Sequence, residues 1–165
     1  MKKTIVTACL LFISWKASAQ FEKNSWVVNP TVTGVEYSYN DAEKNHFGLS
    51  AQGGAFVIDN VALLLQLGGD WTGTVDTYSV GAGGRYYFSS IGVYVGSGLY
   101  FTRWAYSNDR ERQGHRDEYG LTMDGGYAFF LSRTVTIEPA IYYDLSFKDS
   151  DLSKFGLKLG FGFYF

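Results

Sequence analysis

The residues able to do chemistry are few and stand singly among small and apolar neighbours: Gln66, Asp70, Arg85, Asp124, Glu138, Asp144 and Lys158. Carboxylates and cations of this kind could make a general acid and base pair or an ion-selective constriction, provided that substrate or water reaches them. A glycosidase pair needs an open cleft and a set separation between its carboxyls, and carboxylates alone do not specify one. Enclosed in a narrow space, the same charges must pair with each other, because an isolated buried charge is strongly disfavoured. The expectation is a plug of ion pairs and hydrogen bonds, with no catalytic residue among them.

Other candidates carry less. His46 and Ser50 suggest a hydrolase, but four residues along a strand separate them by about 13 Å, too far for direct proton transfer. Gly81-Ala82-Gly83-Gly84 has the composition of a phosphate loop, yet Arg85-Tyr86-Tyr87-Phe88 continues as a strand where a helix should start. Asp149 and Asp151 fall short of the six or more oxygens that calcium takes. The only cysteine is Cys9, near the start of the chain, so no disulfide or thiolate metal site is expected. A net charge of −2 gives no reason to expect nucleic acid. No metal or cofactor is implied.

The most charged segment is Asn108 to Asp117, with Arg110, Arg112 and Arg116, and Arg103 lies just before it. Guanidinium groups pair bidentately with phosphate, so these four arginines are candidates for contact with lipopolysaccharide. Asp109, Glu111 and Asp117 compete locally for them.

What positions these residues is a set of alternating strands. The chain ends Phe155-Gly-Leu-Lys-Leu-Gly-Phe-Gly-Phe-Tyr-Phe165, which puts Phe155, Leu157, Leu159, Phe161, Phe163 and Phe165 on one face and Lys158 with small residues on the other. About ten tilted residues cross a bilayer as a strand. Similar dyads run over Trp26–Tyr39, Phe47–Ile58, Val61–Trp71, Tyr78–Phe88, Val93–Arg103, Tyr119–Leu131 and Val135–Phe147, with a face switch possible at Gly34. Short turns at 59–60, 89–90 and 132–133 alternate with longer polar connections at 40–45, 72–77, 106–117 and 148–154. This alternation predicts an all-β, eight-stranded antiparallel up-and-down transmembrane β-barrel, with short turns facing the periplasm. A soluble barrel with the apolar rows turned inward is the rival, but the polar rows are dominated by Gly, Ala, Ser and Thr, where a soluble exterior would carry many Lys and Glu.

Residues 1–19 read as a signal peptide: Lys2 and Lys3, an apolar run, then Ala17-Ser18-Ala19 before Gln20. Residues 20–165 then form the barrel. The chain resembles the OmpA/OmpX-like family of small outer-membrane barrels of Gram-negative bacteria, on the strength of this leader, the dyad strands, the alternating connections and the ending Leu159, Phe161, Phe163 and Phe165. The resemblance implies the outer membrane as location, the C-terminal strand as a signal read by the assembly machinery, lipid and lipopolysaccharide as surroundings, and a monomer. It also implies a structural or surface-interaction role in envelope integrity, adhesion or host-defence resistance, with an unknown surface ligand at the outer loops. A small porin-like channel and a lipid A-modifying enzyme are the alternatives.

Overall fold

The structure is a computed structural model that describes residues 21–33, 47–72, 75–106, 116–148 and 153–165. Within these, the side chains at 32–33, 47–48, 70–72, 75–76, 104–106 and 116 fall outside the description. The strands are β1 (Trp26–Thr33), β2 (Phe47–Ile58), β3 (Val61–Thr72), β4 (Val75–Phe88), β5 (Val93–Tyr106), β6 (Arg116–Tyr127), β7 (Phe129–Phe130), β8 (Val135–Ser146) and β9 (Lys154–Tyr164). Apart from β6 and β7, strands successive in the chain are neighbours in the sheet, and β1 pairs with β9 through Val28 opposite Phe163. The sheet is closed and wholly antiparallel.

β6 and β7 are one stave in a single register against β8, since Gly126 faces Ala140 and Phe129 faces Ile137. The break between them lies across from Glu138 and Pro139, and a proline has no N–H to give to a ladder. The N–H of Ala128 goes to the Gly92 carbonyl instead. Counting that stave once, the barrel has the eight staves that the dyads predict.

The side-chain period of two sorts the chain into two solvents. Leu63, Leu65, Leu67, Val80, Leu99, Ile141, Phe155 and Leu157 all point out and are exposed, Leu65 at 68%. An apolar belt of this extent on every side is unsuited to water and suited to hydrocarbon. Tyr78, Tyr119, Tyr143 and Phe147 extend it toward the end where the long connections lie, and Trp26 does so at the other end. The inward rows hold the polar residues and a buried cluster of Phe21, Phe56, Tyr87, Tyr94 and Tyr164.

Two expectations about connections change. Thr72 pairs with Val75, so the supposed long connection at 72–77 shrinks to positions 73–74, because Thr72, Val75 and Thr77 are good strand formers that prolong the hairpin. Likewise β5 continues to Tyr106 and β6 begins at Arg116, which takes Arg116 out of the loop and sets Arg103 inside a strand, paired with Asp117. The possible bulge at Gly34 lies outside the described residues.

Candidate functional site

Arg85 projects inward from β4, near the strand's short-turn end at Phe88, and is 3% exposed. Its Nη1 lies 3.2 Å from Glu138 Oε2 on β8, and its Nη2 lies 2.9 Å from Asp124 Oδ2 on β6. Lys158 on β9 reaches the same Asp124 oxygen at 3.1 Å. Two cations and two carboxylates therefore meet across the width of the barrel and cancel. Such a set holds in low dielectric only if the remaining lone pairs and protons are also satisfied. They largely are: Glu138 further accepts from Asn29 Nδ2 at 2.6 Å, Thr136 Oγ1 at 2.7 Å and Tyr164 Oη at 2.6 Å. Arg85 Nη2 donates to Gln52 Oε1 at 2.7 Å, and Gln52 donates in turn to Gln66 at 2.9 Å. The guanidinium also lies 4.2 Å from the centre of the Tyr94 ring, within cation–π range.

Glycine makes the room for this. A Cβ at Gly96 would collide with the Asp124 carboxylate, and one at Gly162 with Thr136 and Glu138. The space left beside Arg85 is about 30 Å³, enough for about two waters.

Toward the short-turn end the lumen is closed by rings. Phe21, just ahead of β1, sits 4.4 Å from Tyr87 centre to centre, 5.6 Å from Tyr164, 5.7 Å from Phe130 and 5.8 Å from Phe56. Its carbonyl accepts from the Asn60 N–H at 2.7 Å, and the turn-end chain bends at Asn24 and Asn60, both with positive φ, a conformation Asn tolerates. Toward the other end the lumen widens into a cavity of about 100 Å³ above Lys158, where Tyr100 Oη donates to Glu118 at 3.0 Å.

The predicted polar residues thus fall into groups. Arg85, Asp124, Glu138 and Lys158 are in direct contact, and Gln66 joins them through Gln52. Asp144 lines the cavity toward the loop end and interacts with the cluster through the charge of Lys158. The backbone of Asp70 pairs with Gly48 and Thr77, while its side chain is outside the description. Asn29, Thr31, Gln52 and Glu118 were not among the expected polar residues, and Thr136 and Tyr164, although on rows read as inward, were not expected in the network; a polar group on an inward row was the available signal.

The remaining candidates lie elsewhere. Arg103 faces outward near the rim, where its Nε contacts Asp117 Oδ1 at 3.0 Å and Lys148 Nζ donates to the Asp117 carbonyl at 2.9 Å. Arg110, Arg112 and His46 are outside the described residues, as are Asp149 and Asp151; Arg116 is described only in its backbone, opposite Trp104. Leu159, Phe161, Phe163 and Phe165 all point out of β9 and its end, and Phe165 exchanges both backbone hydrogen bonds with Trp26 at 2.9 Å.

No protein-family model matches the chain, and no curated protein matches it significantly. Solved structures do. The N-terminal β-barrel domain of Pseudomonas aeruginosa OprF is 20% identical with a TM-score of 0.65, over 87% of this chain and 98% of that one. Neisserial surface protein A is 16% identical with a TM-score of 0.60, over 85% and 95%. The Yersinia pestis outer membrane protein Ail, in a phospholipid bilayer nanodisc, is 17% identical with a TM-score of 0.55, over 87% and 100%. At these identities the likeness is one of fold: this chain has the architecture of the eight-stranded outer-membrane barrels.

Proposed function

We propose that the chain is an integral outer-membrane protein with a sealed lumen, serving a structural or surface-interaction role and not solute passage or catalysis. The observation that carries this reading is the four-charge cluster of Arg85, Glu138, Asp124 and Lys158 spanning the lumen directly above a stacked aromatic plug. A channel needs a continuous wet path, and a lipid-modifying enzyme needs a nucleophile and base within reach of each other on the wall. The signal peptide at 1–19 accounts for export, and the outward row ending at Phe165 for recognition by the assembly machinery. Liposomes carrying the purified barrel should swell no faster in small sugars than empty ones. Swelling at a porin-like rate contradicts the proposal.

Contact with lipopolysaccharide is the second part of the reading. It is supported by the outward position of Arg103 beside Lys148 above Tyr119 and Phe147, where headgroup phosphates meet the aromatic girdle. Replacing Arg103, Arg110, Arg112 and Arg116 with Gln should leave the barrel folded and reduce the lipopolysaccharide retained on purification, most at low ionic strength. Equal retention by the quadruple variant removes this part and leaves the sealed lumen untouched.

A further inference from the structure

The lipid-facing wall is not uniform. Around most of the barrel its outward rows are filled by Leu, Val and aromatic side chains, but where β6, β8 and β9 run side by side the surface drops into an apolar groove of about 470 Å³. Two residues make the floor. Gly125 of β6 has no side chain, and a Cβ built there would meet only the Tyr94 carbonyl oxygen, at 3.8 Å. Pro139 of β8 folds its short ring back onto its own backbone. Ile141 with Leu157 and Leu159 of β9 forms one bank. On the other side Tyr127 leans away from the floor: its ring lies 4.2 Å from that of Phe129, and a Cβ at Gly92 would come within 3.4 Å of its Cζ.

We infer that this groove holds one tail of a phospholipid whose phosphate sits at Arg133. The inference rests on the wall facing lipid and is independent of the sealed lumen. Hydrocarbon surrounds the belt, so no hydrophobic force favours one occupant over another, and selection falls to packing and to charge at the end of the groove. The groove is well above the ~150 Å³ cavity that takes up benzene, which leaves room for a run of methylenes.

The independent observation is Arg133. It is exposed in the hairpin that joins β7 to β8, on the same staves as the groove, and makes no ion pair among the described residues. The side-chain acids of this half of those staves, Asp124 and Glu138, point into the lumen, so the guanidinium is free for a phosphodiester. The spacing fits one leaflet. Pro139 lies six residues beyond Arg133, about 20 Å along the strand, and barrel tilt reduces this to about 15 Å of depth, half the ~30 Å hydrocarbon core. A lipid whose head is held at the hairpin therefore lays the end of its tail over Gly125.

The test is native mass spectrometry of the full mature barrel released from nanodiscs of phosphatidylethanolamine and phosphatidylglycerol doped with diacylglycerol. The parent should retain one phospholipid and no diacylglycerol. Gly125→Leu fills the groove without a backbone clash and should cut retention about fivefold through lost dispersion contacts, and Arg133→Gln should cut it about threefold. Val80→Leu on the opposite wall and Lys23→Gln at the same end should leave it unchanged. Heat-modifiable migration checks that every variant is folded. The inference is overturned if the inserted parent retains no phospholipid, if it holds diacylglycerol equally well, if Gly125→Leu retains as much as the parent, or if the parent emerges as a dimer that Gly125→Leu dissolves, which would give the groove to a second copy of the chain. A parent that fails to insert into the discs contradicts the membrane-spanning reading itself.

Discussion

Two arginine–aspartate pairs in this molecule have nearly the same length and opposite surroundings. Arg85 and Asp124 meet at 2.9 Å with side chains 3% and 9% exposed, and Arg103 and Asp117 meet at 3.0 Å with side chains 56% and 42% exposed. Distance says they are alike; burial says they are not. At the rim, water and ions screen the pair and hold either charge well if its partner is lost. Inside the lumen nothing replaces a missing partner, so each charge there commits the others to their places. The same functional groups therefore make a mutually fixed network inside the lumen and an adaptable, exchangeable surface at the edge.

The largest break in this comparison comes from removing the wall that separates the two settings. Replacing Phe161, Phe163 and Phe165 with Ser strips the outward row of β9, which must close against β1 in lipid, and should abolish assembly. Heat-modifiable migration on cold gels reports it, and normal amounts of folded barrel from the triple variant would show that the row is dispensable. Next is Arg85→Met, which leaves Glu138 and Asp124 short of their shared cation and should cost about 3–5 kcal/mol in urea unfolding. A cost below about 1 kcal/mol would mean that the lumen admits enough water to solvate those carboxylates.

Phe21→Ala probes the seal from its apolar side and should cost about 3 kcal/mol if the ring is packed as a core residue. Smallest is Arg103→Gln, expected within about 1 kcal/mol of the parent and insensitive to salt once the charge is gone. A loss from Arg103→Gln equal to that from Arg85→Met would erase the distinction between rim and lumen.

Much of the architecture was legible because a barrel wall imposes a period of two on every residue it contains. Glu138 could be assigned inward from the dyad Thr136, Glu138, Ala140 and Tyr142 alone, and Phe163 outward from its neighbours. Pairing across the lumen was not legible, since period two gives the face of a residue and not its height against a distant stave. Arg85, Asp124 and Asp144 look equivalent in sequence, yet only Asp124 stands level with Arg85, because stagger around the closed sheet sets the level. Phe21 was invisible for another reason: it precedes the first strand, where no alternation marks which way a ring turns. Arg116 was misread as loop because charged residues at a strand end carry no dyad signal, although its backbone continues the ladder.

The central claim is that the charge cluster and the aromatic plug seal the lumen, and single-channel recording in planar bilayers tests it most directly. The native barrel should insert without steady conductance, and Arg85→Ser combined with Phe21→Ala should open small, resolvable steps by removing side chains that fill the lumen toward the turn end. Steady conductance of porin size from the native barrel would contradict the account.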